Sequence, residues 1–423
     1  MLGLGFINPK ARTGIYRAVE SLFNTIVDQQ SVELVATTLN QTSQIWDSIS
    51  TRLYFEQFSD KDNILFEHYT SQFHLDFIYE IAIKTQKILI QKYINNNSLF
   101  YKGSLAIRIP FDYIAKIDVA LQKTSQLFDV YHSPHHPLPD RDLIGNIPRI
   151  LTIYDLIPRI HPEWMTKGKV HLFDTILQSL DVDRDWVICN SEFTKQDILR
   201  LFNIKAERIF VIPLAAANHF NFVSKREIIN SVLCRYGIPN KPYFLSLSTL
   251  EPRKNLAFLI NCFGRLLAEM PGLDFNLVLV GVNGWKNTDI FHAIQKIPEL
   301  QSRVIFTGYI PDVDLSAIYS GATAFIYPSL YEGFGLPPLE AMQCGVPVIS
   351  SIASSLPEVV GNAGLMIDPL DQDALCQALL TVGSDSLLRS KLSQLSLDRA
   401  RKFSWLYCAE QTVQVYRTVV DAS

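Results

Sequence analysis

The strongest constraint on how this 423-residue chain can fold lies in its second half, where short, wholly apolar runs alternate with helical patterns. The runs are PYFLSLSTL (242–250), FNLVLVGV (275–282), RVIFTGYI (303–310), TAFIYPS (323–329), VPVISS (346–351) and GLMIDP (364–369). A strand with no polar alternation has no face for water, so these runs need a parallel sheet covered on both sides by crossover helices. Helix boundaries fall between them. Leu256 to Glu269 forms one helix, Asp312 is placed to cap another over Val313 to Tyr319, Pro337 and Pro338 open a third that Gly345 closes, and Asp371 caps Gln372 to Val382. The pattern predicts a doubly wound α/β domain over residues 235–402.

The first half repeats the theme with MLGLGFIN, VELVATTLN (32–40), LFDVYHSP (127–134), RILTIYDLIP (149–158), WVICNSE (186–192) and RIFVIPLAA (208–216), which predicts a second Rossmann-like domain over 1–222. Asn221 to Lys241, with Pro239 just before its end, reads as the linker. A final helical pattern over Phe403 to Val420 forms a separate C-terminal helix, 403–423. Residues 41–126 are mixed, with helical patterns at 75–93 and 111–128. Within them, Asp76 to Tyr93 is amphipathic and carries Lys84, Lys87 and Lys92. Packing on its own domain is the simpler reading, and peripheral contact with an anionic membrane surface is the alternative.

Bulk properties exclude several classes of function. With 38 basic against 42 acidic residues there is no electrostatic footprint for nucleic acid. Six dispersed cysteines without a CxxC read as reduced thiols, and no apolar run approaches the roughly 18 residues needed to span a bilayer. The expectation is a cytoplasmic protein, with room for peripheral attachment at the inner face of the membrane.

Two α/β sheets set face to face bring their strand ends, and so their ligand sites, to one crevice. After the run 323–329 comes Tyr331-Glu-Gly-Phe-Gly-Leu-Pro-Pro-Leu-Glu340. Gly333 and Gly335 permit close backbone approach, and the N–H groups of a helix start favour an anion. Glu340 is expected in the first helical turn. Carboxylates at 332 and 340 suit a ligand with several hydroxyls, because a carboxylate accepts hydrogen bonds from vicinal diols. Arg253 and Lys254, adjacent where the strand 242–250 turns into a helix, can supply two positive charges to a diphosphate in place of a divalent metal. Taken singly, either glutamate could be a surface or helix-dipole charge, and the Arg-Lys pair an ordinary solvated one.

The ordered segments TLEPRKN, VLVGVNGW, IFTGYIPDVDL and IYPSLYEGFGLPPLEAMQCGVPVISS resemble the donor domain of glycosyltransferase family 4, retaining enzymes of the GT-B fold. TGIYR (13–17), YDLIPRIHPE (154–163), NSEFTKQDI (190–198) and VIPLAA (211–216) resemble its N-terminal signposts, so the likeness covers nearly the whole chain. It implies two Rossmann-like domains facing across a cleft, with the C-terminal helix crossing back to an acceptor-binding N-terminal domain. It further implies that Arg253 and Lys254 hold the donor pyrophosphate, Glu340 the ribose hydroxyls and Glu332 the transferred sugar. The backbone of Gly333, Phe334, Gly335 and Leu336 would cradle sugar and phosphate, Gly281, Tyr309 and Ile310 would lie along the nucleobase, and Gly14 would let its loop approach the diphosphate. Many relatives have His-Asp where this chain has Tyr154 and Asp155. A tyrosine can donate a hydrogen bond but is no base at neutral pH, so Tyr154 is expected at the donor sugar and Asp155 as an organiser or acceptor-side group.

The implied activity is metal-independent, retaining transfer of a hexose-type sugar from a nucleotide diphosphate sugar to the hydroxyl of a glycan, lipid-linked or protein-linked acceptor in polysaccharide or glycoconjugate synthesis, with no cofactor. Two alternatives stand beside it: a nucleotide-sugar 2-epimerase on the same fold, and a catalytically silent sugar-nucleotide-binding subunit, for which Tyr154 would be the mark. His132, His135 and His136 in YHSPHHPLP could be read as a metal cluster, but a Pro-rich loop without a nearby cysteine suits the lining of an acceptor cleft or a plain surface loop better. Several DxD triplets read as background, some of them helix caps.

Overall fold

The computed structural model describes residues 2–3, 14–29, 31–32, 35–37, 65–66, 128–270 and 272–423. Among them the strands are β1 (Leu2–Gly3), β2 (Val35–Thr37), β3 (Leu65–Phe66), β4 (Tyr131–Ser133), β5 (Arg149–Ile153), β6 (Trp186–Cys189), β7 (Ile209–Val211), β8 (Tyr243–Leu247), β9 (Asn276–Val280), β10 (Val304–Gly308), β11 (Ala324–Tyr327), β12 (Val348–Ser351) and β13 (Gly364–Ile367). They form two sheets, ordered β3-β2-β1-β4-β5-β6-β7 and β10-β9-β8-β11-β12-β13, and every described pairing is parallel. Each sheet therefore starts at its centre, winds outward on one side and then on the other. The direction reverses between β1 and β4 in the first sheet and between β8 and β11 in the second, and a doubly wound sheet opens its ligand crevice at such a reversal.

The apolar runs of the second half behave as their composition requires. Strands β8, β9, β11 and β12 are buried almost throughout, with one cluster on each face of their sheet. The cluster on the cleft side continues into the N-terminal domain.

The helices that shape the cleft are α1 (Gly14–Gln29), α2 (Glu192–Leu201), α3 (Arg226–Arg235), α4 (Leu256–Glu269), α5 (Asp312–Gly321), α6 (Leu336–Gln343), α7 (Gln372–Ser384) and α8 (Trp405–Asp421). Helix α4 has the bounds read from the sequence, and Asp371 caps α7 by accepting from the Ala374 N–H at 2.9 Å. Three readings need correction. Asp312 is the first residue of α5 and not its cap, which is Pro311. Glu340 is the fifth residue of α6 and so lies beyond the first turn. Residues 221–241 do not run as a plain linker, because α3 forms within them and buries Ile229, Val232 and Leu233, whose i, i+3, i+4 spacing makes an apolar face.

The crossing helix α8 leaves the second domain and packs on α1, burying Cys408, Val413, Tyr416 and Val419. A buried histidine ties it down: the His132 ring shares hydrogen bonds with the Tyr416 hydroxyl through Nδ1 and the Thr152 hydroxyl through Nε2, both at 2.7 Å. With both ring nitrogens held by protein hydroxyls, His132 anchors α8 to β4 and β5. The helical pattern at 75–93 and all but the last residue of that at 111–128 lie outside the described residues. Among the described residues no helix is long and apolar enough to cross a membrane. All six cysteines are free, and all but Cys234 are buried.

Burial lowers the His132 pKa to about 3. The unfolded chain therefore takes up a proton near pH 6.5 that the folded chain refuses, and stability falls as pH drops from 6.5 toward 3. This one group should contribute up to about 1.4 kcal/mol of loss per pH unit in that window. Urea denaturation at pH 7.0, 5.5 and 4.5 checks it: His132→Asn, which cannot titrate, should flatten the wild-type slope by that amount.

Candidate active site

The two motif segments, about eighty residues apart in sequence, meet at the reversal point of the second sheet because β8 and β11 are neighbours there. After β8 the chain makes a 3-10 turn, Pro252–Lys254, which presents Arg253 and Lys254. Asn255 then enters α4 in the left-handed region at φ 57°, a conformation that asparagine tolerates better than most side chains. The loop after β11 is bonded to that turn: the Leu330 N–H donates to the Arg253 carbonyl at 2.8 Å, and Arg253 Nη1 donates to the Tyr331 carbonyl at 3.1 Å.

Glu332 sits at the centre. Its Oε2 lies 2.7 Å from Arg253 Nη1 and its Oε1 2.5 Å from Lys254 Nζ, while the hydroxyls of Ser329 (2.6 Å) and Tyr327 (2.9 Å) also donate to Oε1. Burial alone would push this carboxyl up, but the charges of Arg253 and Lys254, with hydrogen bonds from Lys254 and Ser329, outweigh it and hold the pKa at about 2. Glu332 is thus a fixed anion. Lys254 Nζ also donates to the Tyr327 oxygen at 2.6 Å, and burial followed by the Arg253 charge lowers the lysine. A second carboxylate, Glu251, lies 2.8 Å from Arg253 Nε. Two cations are therefore matched by two buried anions. Sequence reasoning expected two bare charges facing a diphosphate; Glu251 lay within the quoted TLEPRKN, but its pairing with Arg253 depends on how the turn folds.

The cleft closes around Gly333. A Cβ at this position would lie 1.8 Å from the Tyr154 carbonyl oxygen and 2.8 Å from the Asp155 Cβ, so the N-terminal domain rests directly on the backbone of the loop. The Gly333 carbonyl accepts from the hydroxyls of Ser191 (2.7 Å) and Thr194 (3.3 Å) at the start of α2. Glu358 of the second domain accepts from the Glu192 and Phe193 N–H groups, both at 2.8 Å, which places a carboxylate on the positive end of that helix. The Tyr331 hydroxyl donates to Asp197 on the same helix. NSEFT, read only as a signpost, is in fact a contact surface between the domains.

The remaining predicted residues divide. Gly14 opens α1 opposite the start of α6, where a Cβ would lie 3.7 Å from Leu336 Cδ1. Gly281, at φ +147°, runs so close to the Ser248 carbonyl that a Cβ would sit 1.9 Å from its oxygen. Gly335 and Leu336 form the start of α6, aimed into the cleft. Tyr309 is exposed at the end of β10, whereas the Ile310 side chain is in the core and leaves only backbone to face a ligand. The Phe334 ring turns away and packs edge-on against Phe403, centroids 5.9 Å apart. Tyr154 is buried, with His135 at 6.2 Å between ring centroids, and it meets the second domain through its carbonyl. The Asp155 carboxylate accepts from the Ile157 N–H at 3.0 Å; burial raises its pKa, against the pull of Arg253. Glu340 is buried at the cleft, where the Tyr319 hydroxyl donates to Oε2 at 3.0 Å and Arg17 Nη1 lies 3.1 Å from Oε1. His132 is committed to the α8 anchor. His135 lies beside Tyr154 and His136 beside His135, and burial lowers both, to about 4 each.

Two parallel-sheet domains, a cation-carboxylate cluster at the reversal point and a helix start facing it define a GT-B glycosyltransferase. The chain belongs to the group 1 glycosyltransferases. The model of that family, glycosyl transferases group 1, matches residues 235–397. The O-antigen chain mannosyltransferase B of Escherichia coli is 37% identical over 290 residues, covering 68% of this chain and 74% of that protein. The serotype-specific mannosyltransferase WbdA of Escherichia coli is 30% identical over 283 residues, 66% of this chain, which spans only 34% of that longer relative. Among solved structures, Anabaena HepE in complex with UDP and glucose superposes with a TM-score of 0.63 at 16% identity, covering 99% of this chain and 98% of that one. WaaG, a glycosyltransferase involved in lipopolysaccharide biosynthesis, gives 0.62 at 12% identity, with 98% of each chain covered. These last two establish the shared fold alone.

Gly333→Ala tests the contact between the domains. The new methyl cannot coexist with the Tyr154 carbonyl, so the domains must part by about an ångström, a displacement that costs on the order of 100-fold in catalysis. Expected are a loss of at least that size in kcat/KM for glycosyl transfer and a small drop in melting temperature by calorimetry.

Proposed function

We propose that this chain is a retaining, metal-independent mannosyltransferase that moves the sugar of a nucleotide diphosphate donor to a hydroxyl of a growing, lipid-linked polysaccharide of the O-antigen type. The observation that carries the reading is the cluster of Arg253, Lys254 and Glu332 at the crevice of the second sheet, facing the start of α6. Transfer, rather than 2-epimerisation or a silent binding role, is supported by the likeness to O-antigen chain mannosyltransferase B.

As the glycosidic bond breaks, negative charge builds on the departing diphosphate. Arg253 can turn from Glu332 and Glu251 toward it without losing all compensation, and the Leu336 N–H at the start of α6, where Pro337 and Pro338 carry none, adds one donor at the positive end of the helix dipole. Such preorganised charge stabilises the transition state more than the ground state. Glu332, ionised and held by four donors, would take the hydroxyls of the sugar and place its anomeric carbon. Retention follows from the family resemblance: the acceptor hydroxyl attacks from the face the diphosphate leaves, and that diphosphate takes the acceptor's proton. Tyr154 would lie at the donor sugar and Asp155 on the acceptor side of the same carbon, and the closed contact at Gly333 would limit donor hydrolysis by excluding water.

Lys254→Met and Arg253→Met should each lower kcat/KM by about 10²- to 10³-fold, while EDTA leaves the wild-type rate unchanged. Product NMR should show the donor's anomeric configuration. Full activity in both variants, a rate abolished by EDTA, or an inverted product would each overturn the corresponding part of the proposal.

A further inference from the structure

Glu340 is only 2% exposed, yet the cation that compensates it is not in its own domain. Arg17, from α1 of the N-terminal domain, reaches across the cleft to place Nη1 3.1 Å from Glu340 Oε1 and 3.8 Å from Asp312. Glu340 is the largest influence holding this guanidinium charged, with Asp312, Tyr319 and Tyr309 adding to it. Tyr309 and Asp312 flank the end of β10. Arg17 Nε is buried and has no hydrogen-bond partner among the described residues, an unusual state for so strong a donor.

The unused valences match one another. Among the described residues each oxygen of Glu340 has one partner, Arg17 on Oε1 and Tyr319 on Oε2, which leaves each a lone pair. Two hydroxyl protons could be accepted there, one per oxygen. A hydroxyl that has given its proton still needs a donor at its own oxygen, and the guanidinium whose Nη1 meets Oε1 carries the unpartnered Nε. Two acceptor sites next to a planar donor form a receptor for a cis-diol, half of it contributed by each domain.

We propose that Arg17 is a binding residue for the donor and that the Arg17–Glu340 pair reads the ribose 2′,3′-diol across the cleft. This rests on the donor reading above and extends it: Glu340 accepts from the hydroxyls, Arg17 donates to their oxygens, and the ribose is gripped fully only when the domains are closed. Arg17 moves with α1, which packs on the crossing helix, and Glu340 moves with α6. A 2′-deoxyribose would leave the Arg17 donor and one Glu340 lone pair without partners and weaken the grip between the domains.

The test uses the full chain and isothermal titration with GDP, UDP and their 2′-deoxy forms, analysing whichever base binds. Wild type should prefer the ribo form by at least about tenfold, the size expected for losing hydrogen bonds to charged groups. Arg17→Met should weaken the ribo form about tenfold, leave the 2′-deoxy form within about threefold, and so flatten the ratio. Arg17→Lys, which keeps the charge but not the planar fork, should flatten it as well. If Arg17→Met weakens both forms equally, or if Arg17→Lys retains the full preference, the residue acts through charge or folding alone and the proposal is wrong. Melting temperatures of the variants within a few degrees of wild type are part of the expected result. If wild type binds no nucleoside diphosphate at all, the donor reading falls, and this proposal with it; wild-type binding with a ratio indifferent to Arg17 overturns only the proposal.

Discussion

Everything at the cleft depends on keeping Glu332 ionised while it is buried. A carboxylate withdrawn from water would normally take up a proton, and here two cations and two hydroxyls prevent it. The arrangement is reciprocal, because Lys254 and Arg253 are themselves buried and need the anion. Removing one member leaves an uncompensated buried charge, which typically costs about 3–5 kcal/mol, whereas the intact cluster adds little net stability over an apolar core of the same shape. Stability is therefore a poor explanation for its presence. A better one is that a preorganised, nearly neutral set of charges can redistribute when a diphosphate arrives, with Arg253 exchanging one anion for another inside the same low-dielectric pocket.

The loop that carries Glu332 is held in place from several directions. The Glu332 N–H donates to the Ser354 hydroxyl at 2.7 Å, and the Ser355 hydroxyl donates to the Glu332 and Phe334 carbonyls at 2.9 and 2.8 Å. Those serines follow β12, the next strand out from the reversal point, so the sheet itself fixes the loop. From the other domain come Ser191, Thr194 and the Tyr154 backbone. Glu358 completes the contact by satisfying N–H groups of α2 that would otherwise point at the second domain without partners. These contacts are polar and local, which suits surfaces that, on the proposed function, would part to admit a donor and meet again around it.

Much of this was legible in the sequence, and the failures have a common cause. Wholly apolar runs named the strands of the second sheet because full burial leaves no other composition, and Arg253, Lys254, Glu332 and Glu340 were picked out by residue type beside a predicted strand end. Local signals missed by small margins where two residues compete for one role: Asp312 looks like a cap, but Pro311 already turns the chain, and Pro337 seemed to open a helix that begins at Leu336. The helix within 221–241 is visible in the spacing of Ile229, Val232 and Leu233, but Pro239 near the end of the segment reads as a linker signal. What no local pattern could supply was partnership across the cleft. Arg17 lies within TGIYR and Ser191 within NSEFTK, but their roles depend on which strands are neighbours and on how one domain meets the other.

The two glutamates of this site are compensated in opposite ways, and the difference assigns them different work. Glu332 draws its cations from its own domain, so its charge and position persist whether the cleft is open or closed. That is what a group fixing the reacting sugar needs, since its geometry must be right at the instant the domains meet. Glu340 draws its cation from the other domain, so opening the cleft would remove Arg17 from it, and closing would restore the pair at a desolvation cost that the attraction only partly offsets. A ligand whose hydroxyls satisfy both partners removes that residual penalty. On the proposed function, binding energy from a part of the donor remote from the reacting bond would thereby be converted into closure, and closure would set Tyr154 and Asp155 against the loop where Glu332 is held.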